Sequence, residues 1–83
     1  MKVQVRYFAS IREAIGQGSE ELEVTGETIG DLRDALIAQG GAHAEVLARG
    51  KAVRAALNQT MVGDSAALTE GCEVAFFPPV TGG

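Results

Sequence analysis

The sequence has a single cysteine, two prolines, no tryptophan and little positive charge, and each shortage closes off a class of explanation. One cysteine, Cys72, allows no internal disulfide, so a reducing cytoplasmic compartment is expected and the thiol reads as a partly buried structural residue. The opening MKVQVRYFAS alternates apolar with polar residues and holds no continuous apolar run, so neither a secretory signal nor a membrane span is expected there. Lysine and arginine number 7 against 11 aspartates and glutamates, a net charge of -4 with no basic cluster. That balance argues against nucleic acid or an anionic membrane as the main partner and favours a partner protein with a basic surface. The only histidine, His43, follows Gly40-Gly41-Ala42 with no second ligand at metal-binding spacing; it reads as a surface residue, and no metal site is expected. The carboxylates are scattered, with no pair placed for acid–base work.

What is present is a chain of 83 residues, 46% hydrophobic and 22% charged, the composition of one soluble globular domain. A chain of this length buries roughly 60–65% of its unfolded surface, which gives a modest core and no room for a deep private pocket. Any reactive site must lie on the surface, on a tail, or at a joint with another protein.

Lys2 to Phe8 alternates over seven residues, Val3, Val5 and Tyr7 against Lys2, Gln4, Arg6 and Phe8, the pattern of a half-buried strand. Ser10 is placed to cap a short helix that stops at Gly16, and Glu20 to Val24 alternates as a second strand after a Gln17-Gly18-Ser19 turn. Thr28, with Asp31 three residues on, predicts a capped helix whose buried stripe is Ile29, Leu32, Leu36 and Ala35, closed by Gly40-Gly41. His43 to Ala48 predicts another helical turn. Val53 to Leu57 and Thr60 to Val62 read as strands around an Asn58-Gln59 bend, and Glu73 to Phe77 as the fifth strand after a Thr69-Glu70-Gly71 turn. Pro78 and Pro79 end it, since neither can donate to a sheet ladder. The order, two strands, a helix, then three strands, predicts an α+β fold. It is a β-grasp with a five-stranded mixed sheet, one main helix packed across it and short additional helices, the first and last strands central and parallel. Residues 1–77 form the domain and residues 78–83 a flexible tail.

Three segments, VRYFASIRE near the start, ALNQT in the middle and GCEVAFFPPVTGG at the end, resemble the small subunits of molybdopterin synthase, the ubiquitin-like sulfur carriers of molybdenum-cofactor biosynthesis. The resemblance covers essentially the whole chain, and the terminal block is its most specific part. It implies a cycle in which a ubiquitin-activating-like adenylyltransferase uses ATP to adenylate the carboxylate of Gly83, and a sulfur donor protein converts it to a thiocarboxylate. The large synthase subunit then receives the tail so that its sulfur attacks cyclic pyranopterin monophosphate. Gly83 is thus the reactive residue. Pro78, Pro79, Val80, Thr81 and Gly82 are the inserted tail, and the chain itself binds no cofactor. The family forms a heterotetramer of two small and two large subunits.

The tail's residues suit that role. Gly82 and Gly83 carry no side chain, so their backbone can thread a narrow channel, and Pro78-Pro79 starts the tail extended. Phe8 and Phe77 fall on the sheet face opposite the helix, with Ala75. Exposed there they form an apolar patch where the resemblance puts the large-subunit contact; covered by loops they do not. Arg12 either anchors an acidic group on a partner or is a solvated helix arginine, and Lys51 and Arg54 have the same two readings. Three other functions share the residues. One is the related carrier for thiazole synthesis in thiamine production, another a ubiquitin-like modifier that joins its terminus to lysines, and the last a β-grasp binding module with an incidental tail.

Overall fold

In this computed structural model, which describes residues 1–78, the chain runs β1 (Lys2–Tyr7), α1 (Ala9–Ile15), β2 (Ser19–Glu23), α2 (Ile29–Ile37), α3 (Gly41–Val46), β3 (Arg54–Leu57), β4 (Thr60–Val62) and β5 (Glu73–Phe77). The five strands form one sheet in the order β2-β1-β5-β3-β4. β1 and β5 lie side by side in parallel, Gln4 opposite Glu73 and Tyr7 opposite Phe76, while β2 and β3 flank them antiparallel. The last strand is therefore inserted into the middle of the sheet, as the element order predicts. The result is an ubiquitin-like β-grasp.

The alternation of β1 and β5 decides which face is dry. Val3, Val5 and Tyr7 from β1 and Val74 and Phe76 from β5 are at most 1% exposed, and they meet Ile29, Leu32 and Leu36 of α2, all fully buried. Ile11, Val24, Leu47, Ala55, Leu68 and Cys72 complete this core, so the thiol is a buried packing group, in line with the sequence reading. The opposite face carries the other set of side chains, and no helix packs on it.

α2 starts where the sequence places it. Asp31 N–H donates to Thr28 Oγ1 (3.2 Å), and Asp31 Oδ2 accepts from the backbone N–H of Thr28 (3.1 Å) and of Glu27 (2.9 Å). This complete capping box needs Gly26, because a Cβ there would stand 2.3 Å from the Cβ of Asp31. The hydrogen bond from the Glu27 N–H, and next that from the Thr28 N–H, hold the Asp31 carboxyl below the usual carboxylate range.

Several boundaries differ from the sequence reading. β1 stops at Tyr7, and Phe8, not Ser10, occupies the N-cap of α1 with no side-chain cap bond. The reason is Ala9, whose φ of 51° turns the chain out of the strand one residue earlier than alternation suggests. β2 begins at Ser19 and leaves Val24 outside the ladder, though buried. In α2, Ala35 is exposed and Arg33 takes the buried place. The helix ends at Ile37 with Ala38 as its C-cap, and Gly40 opens α3 instead of closing α2. β3 starts at Arg54; the hairpin turns at Asn58 and Gln59, as read, and both residues prove left-handed.

Candidate functional site

β1 and β5 finish, and β2 and β3 begin, at the same end of the sheet, and Pro78 leaves from the centre of that end. The positions Pro79, Val80, Thr81, Gly82 and Gly83, which carry the expected reactive carboxyl and most of the inserted tail, lie outside the described residues. What the structure describes is the root from which they extend.

On the open face at this root the rings of Phe8 and Phe77 stack, centroids 4.8 Å apart and planes 12° from parallel. The guanidinium of Arg6 sits over Phe8, 5.5 Å from its centroid. Strand pairing sets Ala75 between Arg6 and Ala56, Phe77 beside Arg54, and Met61 across from Ala56. Met61 is 50% exposed, the barest large apolar side chain among the described residues. The face predicted from alternation is thus real, and Phe8, Ala75 and Phe77 do come together. Each phenylalanine is half-buried, and each ring stacks on the other. The Arg12 side chain, one helical turn along from Phe8, lies over Gly18, where an added Cβ would come 3.1 Å from its Nε.

Beside Pro78, on the other side of the root, is a hollow of about 400 Å³. Ile11 and Ala14 of α1, Val46 of α3 and Val53 ahead of β3 give it apolar walls, and Lys51 stands in its lining. Of this lining, the backbone of Lys51 is fixed from behind, together with that of Leu47 and Ala48. Buried Arg33 donates from Nε to the carbonyl of Leu47 (2.7 Å) and from Nη2 to those of Ala48 (2.6 Å) and Lys51 (3.0 Å). Burial pulls the Arg33 pKa down, opposed by the charge of Asp64 4.0 Å away. Arg49 grips both oxygens of Asp34 (2.8 and 3.0 Å), Asp64 (2.6 Å) and the carbonyl of Gly30 (3.0 Å). That pairing, chiefly the hydrogen bond from Arg49, holds Asp34 below the usual carboxylate range. Sequence reading assigned no role to Arg33 or Arg49, since their partners are 14 to 19 residues away and mostly backbone.

His43 corrects the sequence reading directly. Its side chain is 15% exposed, and Nε2 lies 2.9 Å from Glu20 Oε2, which also accepts from Tyr7 Oη at 2.6 Å. The Tyr7 and His43 rings meet edge to face at 5.9 Å. Burial first, then Glu20, raises the Tyr7 pKa above its ordinary value. The register accounts for the surprise: Glu20 pairs with Val5 and so shares the helix-side face of the sheet. The cluster ties α3 to β1 and β2. No group of three or more metal-ligating side chains occurs among the described residues, and no helix there is long and apolar enough to cross a membrane.

Compared with known proteins, residues 5–83 match the sequence model of the ThiS family. The chain is 44% identical over 81 residues to the molybdopterin synthase sulfur carrier subunit of Escherichia coli (strain K12), covering 98% of this chain and 99% of that one. It is 36% identical over 87 residues to small archaeal modifier protein 1 of Haloferax volcanii, covering 94% and 97%. Among solved structures, the complex of subunits 1 and 2 of the molybdopterin-converting factor from Helicobacter pylori 26695 contains a chain that superposes with a TM-score of 0.69. That chain is 25% identical, and coverage is 100% of both.

Proposed function

Since the chain belongs to the ThiS family, we propose that it is the sulfur carrier subunit of a molybdopterin synthase, with the carboxyl of Gly83 as the group that carries sulfur. The observation that carries this reading is the extent of the family match, which continues past the folded domain to Gly83 itself. Near-complete mutual coverage with the Escherichia coli relative supports it.

The chemistry is that of the main chain. A carboxylate is a poor electrophile because its charge is shared by two oxygens. An adenylyltransferase related to ubiquitin-activating enzymes joins that carboxylate to the α-phosphate of ATP and releases pyrophosphate. A sulfur nucleophile delivered by a donor protein then attacks the acyl carbon and AMP leaves. The resulting thiocarboxylate presents a soft, ionised sulfur, a good nucleophile at neutral pH. The domain contributes reach and aim. From Pro78 to Gly83 the backbone spans at most roughly 20 Å, enough to enter a site buried in the large subunit while residues 1–77 stay outside. Phe8 and Phe77, with Ala75 behind them, form the apolar contact for that subunit, and the catalytic complex is a heterotetramer in the cytoplasm. The solved two-subunit relative supports a partner of that kind.

The direct test is the intact mass of the chain after incubation with the adenylyltransferase, ATP and a sulfur donor. One oxygen of Gly83 exchanged for sulfur is expected. An unchanged mass with a competent enzyme refutes the assignment.

A second reading, a ubiquitin-like protein modifier, is favoured by the 36% identity to a relative bearing that name. It shares the adenylation step and differs in the acceptor, a lysine amine in place of sulfur. Adducts that persist under denaturing and reducing conditions support it. The thiazole-forming carrier of thiamine synthesis is separated by complementation of strains lacking one carrier or the other.

A further inference from the structure

Apart from Ser10, the hollow beside Pro78 is lined by apolar residues and a single charge, Lys51. Pro78 is itself in that lining, so the residues after it set out from the rim of the hollow. In an extended chain alternate side chains fall on one side, and the next to face the way Pro78 faces is Val80, about 7 Å further on. Val80 is the only apolar side chain between Pro79 and Gly83. By any path the carboxyl of Gly83 stays within roughly 20 Å of Pro78, which brings it within reach of Lys51.

Lys51 forms no ion pair among the described residues, and neither do Glu13 of α1 and Glu45 of α3, the carboxylates on the two helices that wall the hollow. Its carbonyl accepts from Arg33 Nη2 at 3.0 Å, so the backbone that carries the ammonium is set before anything docks. Arg54 belongs to the open face beside Phe77 and takes no part. A segment joined to Pro78 by a few residues meets this hollow at high effective concentration. A separate protein must first lose its freedom to tumble and diffuse.

We propose that the hollow beside Pro78 is the resting dock of the chain's own tail, with Val80 filling it and the carboxylate of Gly83 paired with the ammonium of Lys51. This rests on the carrier reading above in one respect, that Gly83 bears the terminal carboxyl. One buried valine and one exposed ion pair only just outweigh the ordering of five residues. The docked form is therefore a majority of the free chain, about three quarters, and not the whole of it. A partner that takes the extended tail meets only the undocked quarter, which lowers its apparent affinity about fourfold. The carboxyl is thus sheltered until an enzyme draws it out.

The test is NMR spectroscopy of the full chain without partners, with folding of each variant checked by circular dichroism. Nuclear Overhauser contacts are expected from the Val80 methyls to those of Ile11, Val46 or Val53. Amide order parameters of Val80 and Gly82 should exceed about 0.6, below which a backbone counts as flexible. Ala14→Glu puts a charge in the hollow from an exposed position, and Lys51→Glu, also exposed, sets a like charge against Gly83. Both variants should lose the contacts and fall below that order parameter, and both should bind the adenylyltransferase about fourfold more tightly. No Val80 contacts in the unaltered chain, or contacts that persist in both folded variants, overturn the proposal. Contacts that vanish on dilution belong to the tail of a second copy and overturn it equally. Tighter enzyme binding in neither variant overturns the sheltering. Failure of the unaltered chain to acquire sulfur refutes the carrier reading and leaves the Val80 contacts as they were, which separates the two failures.

Discussion

The flank of α2 and the root of the tail are built on opposite terms. Around α2 every charge has a partner inside the chain: Arg33 spans three carbonyls, Arg49 clasps Asp34 and Asp64, and Asp31 closes the capping box. At the root Lys51 and Arg54 lack ion-pair partners among the described residues, and the half-buried rings of Phe8 and Phe77 stack on each other with Arg6 over Phe8. The first region is finished by its own sequence. The second is left open by its own sequence, and in the proposed carrier role it holds one end of a backbone.

That contrast breaks most sharply at the tail. Deleting Gly82 and Gly83, or adding one untrimmed residue after Gly83, should abolish sulfur acquisition while the unfolding transition stays where it was. A carrier that still charges would show that side chains do the chemistry. Next in size is Arg33→Met, which leaves the carbonyls of Leu47, Ala48 and Lys51 without their buried donor. We expect a loss of about 3 kcal/mol in urea unfolding. A loss near zero would mean that water takes over and that the flank is not closed. Phe77→Asp should invert that profile, lowering large-subunit affinity roughly a hundredfold by titration calorimetry with the fold retained; unchanged affinity would remove the aromatic patch from the interface. Thr28→Ala should cost about 1 kcal/mol through the lost cap. Asp31 and Asp34 sharpen the same point through pH. Both titrate below the usual carboxylate range when folded, so their stabilisation is complete above that range and disappears as pH falls through their lowered values. The smallest change is at the turn into α1. Ala9→Gly should add about 1 kcal/mol, because glycine meets φ 51° without the strain that a Cβ brings.

The fold was legible wherever one residue and its immediate neighbours decide the outcome. Alternation in β1 and β5 named the core strands, Thr28 with Asp31 named the start of α2, and the two prolines named the end of β5. The sequence was silent wherever a distant backbone decides. Nothing near Arg33 announces that its guanidinium will end on carbonyls 14 to 18 residues away. Glu20 and His43 look like solvated residues until register brings both beside Tyr7. Ala9 hides its left-handed backbone in a helix-like string. For the site, the aromatic pair could be read from the alternation that carries Phe8 and Phe77 to one face. The hollow beside Pro78 was invisible, since it is assembled from α1, α3 and the approach to β3.

The central position of β5 has a consequence for biosynthesis. A nascent chain halted anywhere before Glu73 lacks Val74 and Phe76, has a gap where β1 and β3 should each find a neighbour, and cannot close its core. Folding therefore waits for the segment that is made just ahead of the tail. Chains terminated before Glu73 are thus left as substrates for proteolysis.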